Sequence, residues 1–204
     1  MVQKTDRPQR GRPPRFDEGD VVAGALIAFW SHGYEGTTLA ELERATGVDR
    51  STIYNSFGGK RGLYDRAADE YVSGGERHLF SPLSDGTAGI EDIVEYLDRL
   101  EAIQLDGAMP SGCLIINDLA DPTSREMTDR YLHDIGNGLS NALERSNGVD
   151  GTDPSANAMR GESLLAAIVG VNLTHRRDPP AASSMMNGLR ELVRSWATRQ
   201  SPSV

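Results

Sequence analysis

The 204-residue sequence has a single cysteine, Cys113, which excludes a disulfide within the chain and a cysteine-based zinc site. It contains no apolar run near the roughly 20 residues that a membrane-spanning helix requires. Its first residues are basic and proline-rich, and they lack the apolar segment of a secretory signal. We therefore expect a cytoplasmic protein without a membrane partner.

The sequence also lacks the local motifs of common enzymes. It contains no glycine-rich phosphate loop, no HExxH zinc motif and no nucleophile elbow. Its four histidines are scattered along the chain, at His32, His78, His133 and His175. None of them is paired at i, i+4 with a set of carboxylate residues that could complete a metal site. We therefore predict that the protein is not an enzyme and holds neither a metal ion nor another cofactor.

Charge is unevenly distributed along the chain. The net charge is −9, yet residues 1–15 carry five basic side chains and one acidic side chain. Residues 63–204 carry twelve basic and twenty-two acidic side chains. A basic segment of this kind either solubilises an acidic domain or neutralises DNA phosphates, and the charge pattern fits both interpretations. Residues 1–15 are predicted to form a flexible basic arm, which its prolines keep extended.

Helical periodicity runs through the chain, and no segment shows convincing strand alternation. Residues 17–33 have apolar positions at a period near 3.6 and acidic residues in the first turn, where the helix dipole favours anions. Thr38 and Glu41 have the spacing of a capping box, and Gly47 supplies a left-handed stop. A second short helix begins at once from Asp49 as N-cap. Two short helices joined by a tight turn predict a helix-turn-helix.

The first third of the chain strongly resembles the DNA-binding domain of the TetR family of bacterial repressors. The resemblance is carried by the stretch FWSHGYEGTTLAELERATGVDRSTIYNSFGGKRGLY. Positions that match in order and spacing are Gly33-Tyr34, Thr37-Thr38, Gly47-Val48, Thr52, Tyr54, Phe57, Lys60 and Leu63-Tyr64. The family more often has a small residue where this chain has Glu43. The resemblance implies an all-α fold with a three-helix DNA-binding domain at residues 16–62 and a helical ligand-binding and dimerisation domain at residues 63–204.

The polar side chains of the second short helix are the predicted DNA contacts, because a recognition helix places its N-terminal turn at base edges in the major groove. Arg50 suits a bidentate contact with guanine, and Ser51 and Thr52 are short enough to lie at the base edges. The resemblance implies that Tyr54 contacts a phosphate or a thymine methyl group, with Asn55 beside it. Phosphate contacts are expected at the N-termini of neighbouring helices. The predicted set is Thr37, Thr38, Arg50, Ser51, Thr52, Tyr54, Asn55 and Lys60; the alternative for each is a solvated surface position.

The remainder of the chain shows amphipathic helices. Residues 162–173 are apolar on nearly all sides, as expected of a helix that is covered all round. The resemblance implies that helices at about 154–175 and 180–199 pair with those of a second copy in a four-helix bundle. The alternative is an ordinary core within one chain. The predicted interface residues are Leu164, Leu165, Ile168, Leu189, Leu192 and Trp196.

The family's ligand pocket lies among the middle helices, and GAMPSGCLIIND, residues 107–118, resembles the Gly-Cys-Leu segment of one large branch of the family. Apolar walls with a few polar groups suit a small lipophilic effector. Cys113 has no basic neighbour in SGCLII and is expected to be a buried hydrophobic residue rather than a reactive thiol. Candidates for the pocket, each of which also fits an ordinary core, are Leu100, Gln104, Met109, Cys113, Ile116, Asn117, Tyr131 and Asn172.

These features predict a ligand-responsive transcriptional repressor. It would bind a palindromic double-stranded DNA operator as a homodimer and release it when a small effector binds. The helix at about 60–75 is the expected lever, because it begins at Lys60 and carries Tyr71 towards the pocket. Two alternatives remain open, an architectural DNA-binding protein without an effector and an all-α enzyme.

Overall fold

The computed structural model describes residues 16–120, 125–146 and 154–198, and the predicted basic arm lies outside them. The described residues form ten helices and no strand, which confirms the all-α prediction. No helix in these ranges has both the length and the apolar character needed to cross a membrane. The helices are α1 (Glu18–Gly36), α2 (Leu39–Thr46), α3 (Arg50–Phe57), α4 (Lys60–His78), α5 (Ser81–Asp85), α6 (Ile90–Asp106), α7 (Leu114–Asn117), α8 (Arg125–Ser146), α9 (Pro154–His175) and α10 (Pro179–Thr198).

Helix α1 begins at an N-cap and is interrupted near its end. The Asp17 carboxylate accepts hydrogen bonds from the backbone N–H groups of Gly19 and Asp20, which have no partner within the helix. The helix was predicted to end at Gly33. Gly33 does break the helical path with φ +75°, but a further helical turn follows to Gly36. After this kink the chain continues to α2, and the backbone N–H of Tyr34 donates to the Asp118 carboxylate in the C-terminal part of the chain.

Helices α2 and α3 have the predicted caps. The Thr38 N–H donates to Glu41 Oε2 at 2.6 Å, and the Glu41 N–H donates to Thr38 Oγ1 at 3.2 Å, which completes a capping box. Gly47 ends α2 in the left-handed region with φ +71°. Asp49 caps α3 by accepting from the Thr52 N–H at 2.8 Å. The predicted helix-turn-helix is therefore confirmed.

Close packing of α1 on α2 depends on Gly24. A Cβ atom at this position would lie 2.4 Å from the backbone oxygen of Ala45, which is closer than side-chain atoms normally approach backbone. Apolar side chains of α1, α2 and α3 form a shared core next to this contact. Phe29, Leu42 and Ile53 in that core have no exposed surface. The helix-turn-helix is thus a packed unit with its own core.

The longer helix α4 connects this unit to the helical body. It begins at Lys60 and runs to His78, so it crosses the predicted domain boundary after residue 62 and extends beyond the expected end near residue 75. In the body, α9 lies between α8 and α10, and α10 also packs on α6. Arg190 of α10 forms ion pairs with Asp98 and Glu101 of α6, which fixes the packing of these two helices.

Candidate nucleic-acid interface and ligand cavity

The N-terminal turn of α3 presents a polar surface to solvent. Arg50, Ser51 and Asn55 are exposed, and Tyr54 has 55% of its surface exposed. The opposite side of the helix carries Ile53, which is buried in the helix-turn-helix core. The helix is therefore anchored by its apolar side and free on the side that a DNA groove would meet.

Two carboxylates hold the start of α3 in place. Glu43 Oε1 accepts from the Arg50 N–H at 2.7 Å, across the turn from α2. Asp49 Oδ1 accepts from the Thr52 N–H and from the Ser51 hydroxyl, each at 2.8 Å. These hydrogen bonds, that of the Thr52 N–H first, lower the pKa of Asp49 below its usual 3.8. The orientation of the exposed turn is thus fixed without DNA, and Glu43 has a positional role that the sequence analysis missed.

The two threonines before α2 differ in their surroundings. Thr38 is exposed, and its hydroxyl donates to Glu41 Oε2 at 2.8 Å. Thr37 has no exposed surface, and its hydroxyl donates to the Gly33 backbone oxygen at 2.7 Å. The prediction of a phosphate contact through the Thr37 side chain is therefore wrong. Its hydroxyl closes the kink of α1, and burial of the side chain was not visible from sequence.

Lys60 and Tyr54 lie on either side of the turn between α3 and α4. The Lys60 ammonium stands 4.3 Å from the ring centroid of Tyr34, a cation–π arrangement at the start of α4. Tyr54 covers Gly59, where a Cβ atom would lie 3.0 Å from the tyrosine Cε1. Gly59 also has φ +98°, so glycine is favoured twice over at this position. The structure therefore places Lys60 at the turn that follows α3 and packs the Tyr54 ring on the same turn.

A cavity of about 450 Å³ lies between the helix-turn-helix and the helical body. Its wall includes residues of α1, α4, α6, α8 and α9 and of the segment around α7. Seven of the eight predicted pocket residues line it: Leu100, Gln104, Met109, Cys113, Ile116, Tyr131 and Asn172. Asn117 does not line it, and its amide nitrogen donates to the Ser111 backbone oxygen at 3.3 Å. The pocket prediction for Asn117 is therefore wrong, because its side chain closes the loop before α7 instead.

Tyrosine hydroxyls and one thiol form a polar group within this apolar wall. Cys113 Sγ donates to the Tyr131 hydroxyl at 3.6 Å, and Tyr71 and Tyr96 also line the cavity. Burial raises the pKa of all three tyrosines, so they remain protonated at neutral pH. Cys113 is buried, as expected.

A second polar pair spans the cavity wall between α6 and α9. The Gln104 amide nitrogen donates to Asn172 Oδ1 at 3.2 Å, and the Asn172 amide nitrogen donates to the Ile168 backbone oxygen at 3.0 Å. This hydrogen bond uses the amide nitrogen of Gln104, so its amide oxygen can act as an acceptor in the cavity wall.

Two cavity residues come from outside the region in which the sequence placed the pocket. Trp30 belongs to α1, and its ring meets the ring of Tyr71 edge to face, with centroids 4.9 Å apart. Leu26, one turn earlier, also contributes to the wall. Sequence reasoning assigned α1 wholly to the DNA-binding domain, and no local pattern marks its far side as a cavity wall.

Asp118 connects the cavity segment to the helix-turn-helix. It directly follows α7, and Ile116 of that helix and its N-cap Cys113 line the cavity. Its carboxylate accepts from the Tyr34 N–H at 3.2 Å and from the Tyr64 hydroxyl at 3.0 Å. The buried carboxylate therefore binds both α1 and α4, and the sequence analysis did not single it out.

The predicted dimer residues fall into two groups. Leu164, Ile168 and Leu189 are buried within the single chain, Leu164 to 1% exposure, so the prediction that they form an intermolecular surface is wrong. They form the packing between α9 and its neighbours. Leu165 and Trp196 are half-buried, and Leu192 is 45% exposed. Other large apolar side chains exposed on α9 and α10 are Met159, Leu173 and Met185.

A helix-turn-helix with an exposed polar second helix, joined to a helical body across a partly open apolar cavity, is the arrangement of a class of DNA-binding regulators. Residues 21–67 match the family model described as bacterial regulatory proteins, tetR family. The N-terminal domain of the chain is therefore similar to that of TetR-family regulators, in line with the resemblance seen in the sequence. Its likeness to the Gly-Cys-Leu branch stays a prediction.

Named relatives share sequence with the chain over part of its length. The HTH-type transcriptional repressor ComR of Escherichia coli strain K12 is 35% identical over 112 residues, which cover 53% of this chain and 52% of ComR. The HTH-type transcriptional repressor BdcR of the same strain is 28% identical over 135 residues, 65% of this chain and 68% of BdcR. The match thus spans about half the length of the first relative and two thirds of the second.

A solved structure shares the fold over nearly the whole chain. It is a cysteine mutant of the TetR family transcriptional regulator CifR, complexed with 26-bp double-strand operator DNA. The TM-score is 0.77 at 23% sequence identity, and the alignment covers 91% of this chain and 100% of that chain. The arrangement of the helix-turn-helix on the helical body is therefore that of known TetR-family folds.

Proposed function

We propose that this protein is a transcriptional regulator, expected to act as a repressor, that binds an operator through α3 and responds to a small effector in the cavity. The proposal depends on one observation above all: the exposed turn from Arg50 to Tyr54, held in position by Glu43 and Asp49. Relatives named as repressors favour a regulator over an enzyme and fit action in the cytoplasm. Operator DNA in the CifR complex supports the same choice.

Direct contact with bases follows from the geometry of α3. Arg50 carries a planar donor fork that matches guanine O6 and N7, and Asn55 carries an amide that matches adenine N6 and N7. The exposed phenol of Tyr54 and the ammonium of Lys60 at the start of α4 are proposed to contact phosphate oxygens. An eight-residue helix reaches only a few base pairs, so a single copy reads too little sequence for an operator.

A homodimer supplies the second recognition helix. Met159 and Leu173 on α9, with Met185 and Leu192 on α10, leave apolar surface exposed on the two helices that the resemblance assigns to the interface. A second copy would cover this surface through the same residues, as two-fold symmetry requires. The two copies of α3 would then meet half-sites about one helical turn apart, ~34–36 Å.

Response to an effector is supported by helices shared between the cavity and the helix-turn-helix. Helix α4 carries Lys60 at its start and Tyr71 in the cavity wall, and Asp118 ties the cavity segment to Tyr34 and Tyr64. An effector that shifts either element would change the separation of the recognition helices in the dimer and so weaken operator binding.

Footprinting on the DNA upstream of the protein's own gene tests this proposal. We expect a palindromic protected site that holds two protomers, with half-sites about one helical turn apart. Protection of both strands without sequence preference would favour an architectural protein instead. An enzyme would show neither result, and its cavity residues would have to act on a substrate.

A further inference from the structure

The described part of the cavity wall carries carboxylates at its exposed positions. Glu70 and Asp106 contribute to the lining at exposed positions together with His78, and the described part of the lining contains no lysine or arginine. Arg99 reaches the edge of the wall by donating to the His78 backbone oxygen, yet its guanidinium is paired with Glu95 at 2.6 Å. Among the described side chains, an anion in this cavity would therefore find no counter-charge to offset its loss of hydration.

Arg176 is the other cation close to the wall. Its Cγ would lie 3.0 Å from a Cβ atom at Gly112, so its aliphatic stem runs along the loop before α7. The residue is exposed and does not line the cavity. Its charge can therefore remain in solvent while the stem packs on the loop.

The phenols of Tyr71 and Tyr131 share their hydrogen bonds with a weak partner, the Cys113 thiol. Cys113 donates to Tyr131, and each of Tyr131 and Tyr71 carries one further O–H proton. Because the sulfur is a weak acceptor, a phenol O–H that points to it can turn to a carbonyl oxygen instead. Phenols are protonated at neutral pH and burial raises their pKa further, so this end of the cavity presents hydroxyl donors rather than charged acceptors.

Trp30 adds an indole donor and an aromatic surface next to these phenols. It is only 4% exposed, and its Nε1 atom is buried without a hydrogen-bond partner. A buried donor without a partner is costly, so an acceptor that reaches it through a small movement of the ring gains binding energy. The rings of Trp30, Tyr71, Tyr96 and Tyr131 line the same cavity and together favour a flat apolar body packed against them.

We propose that the effector is an uncharged, largely apolar molecule with an aromatic or similarly flat body and one carbonyl-type oxygen, bound with that oxygen at the Tyr71–Cys113–Tyr131 end of the cavity. This inference rests on the proposed function, since it names the chemical class of the effector at the same site. It excludes fatty acids, acyl phosphates and other anions as effectors.

Three probes that share a naphthalene body test the assignment by isothermal titration of the purified full chain. These are 1-acetylnaphthalene, 1-ethylnaphthalene and 1-naphthoate, which supply a carbonyl, no acceptor and an anion. We expect the ketone to bind about tenfold more tightly than the hydrocarbon, the size of one buried hydrogen bond. Naphthoate should bind at least about tenfold more weakly than the ketone. Equal affinity for ketone and naphthoate, or no binding of any probe, would overturn the proposal.

A double variant locates the acceptor. Replacing Tyr71→Phe and Tyr131→Phe should remove the difference between ketone and hydrocarbon and leave hydrocarbon binding intact, which reports that the cavity keeps its shape. Ser73→Ala deletes a hydroxyl from the exposed side of α4 and serves as the control, with no change expected for any probe. A difference that persists in the double variant would contradict the assignment to these phenols.

Operator binding by the same preparations separates this inference from the regulator proposal. A protein that prefers the ketone but shows no sequence preference for DNA would keep the cavity assignment and refute the regulator. A protein that binds its operator but prefers naphthoate would refute the effector class alone.

Discussion

The hydroxyl of Tyr64 donates a 3.0 Å hydrogen bond to the carboxylate of Asp118, and this contact joins α4 to the end of α7. The same carboxylate accepts from the Tyr34 N–H beside the kink at Gly33. One buried carboxyl group therefore holds α1 and α4 against the segment that lines the cavity. A ligand that displaces α7 would therefore act on the DNA-binding domain through the hydrogen bonds of Asp118 with Tyr34 and Tyr64.

Removal of the Tyr64 hydroxyl should destabilise the protein. Tyr64→Phe leaves the ring in place but takes one donor from a buried carboxylate, and we expect the free energy of unfolding to fall by about 1–3 kcal/mol. Urea denaturation measures this change. Tyr54→Phe deletes an equivalent hydroxyl at an exposed position and should change stability by less than about 0.5 kcal/mol. Equal effects of the two substitutions would show that the contact with Asp118 does not stabilise the domain junction.

The cap of the recognition helix should make stability depend on acid pH. A carboxylate whose pKa is lowered by folding stabilises the protein above its unfolded pKa, and this contribution is lost as the pH falls through the lower folded value. Asn at an N-cap keeps a side-chain acceptor but does not titrate. The unfolding free energy of the wild type should therefore fall more steeply than that of Asp49→Asn between about pH 5 and about pH 2. Urea titrations at a series of pH values test this, and parallel profiles would contradict it.

Close approach of α1 and α2 at Gly24 should not tolerate a methyl group. Gly24→Ala forces the new Cβ against the Ala45 backbone oxygen and should cost about 1–3 kcal/mol of stability. Gly74→Ala, in open space within α4, should instead stabilise by about 0.5–1 kcal/mol through its higher helix propensity. Thermal unfolding of the two variants gives the comparison. Stabilisation by both would mean that the helices separate at little cost.

Exposed apolar surface on α10 should be needed for self-association. Leu192→Glu places a charge in the proposed interface, and we expect the dimer to dissociate at concentrations where the wild type stays paired. Sedimentation velocity reports the mass of each species. Ile27→Glu makes the same kind of change at a 41% exposed position on α1 and should leave the dimer intact. Dissociation by the Ile27 variant alone would place the interface elsewhere.

Local signals in the sequence were enough to predict the helix-turn-helix. Thr38, Glu41 and Asp49 act on backbone groups three residues away, so spacing alone identifies their capping roles. The left-handed stop at Gly47 needs only the conformational freedom of one residue. Periodicity likewise located α9 and α10 to within a residue of their observed bounds.

Contacts between distant segments could not be predicted in this way. Asp118 and Tyr64 are 54 residues apart, and no pattern pairs them. Trp30 lines the cavity because α1 packs on both domains, which only the assembled fold reveals. The apolar pattern of α9 correctly predicted that Leu164 and Ile168 are buried. It could not show that helices of the same chain, rather than of a second copy, bury them. From its position in the sequence, Thr37 resembled an exposed residue at a helix start. In the structure it is buried, and its hydroxyl donates to the Gly33 backbone oxygen at the kink of α1.

Specific binding through α3 is the central claim, and Arg50 tests it most directly. Affinity for the DNA upstream of the protein's own gene is compared with affinity for random DNA at one fixed salt concentration. Arg50→Ala should cost about 1–3 kcal/mol on the upstream fragment and reduce the preference for it. Arg125→Ala removes the same charge from an exposed position on α8 and should leave that preference unchanged. Equal losses from the two variants, or equal binding of both DNAs by the wild type, would contradict sequence recognition by α3.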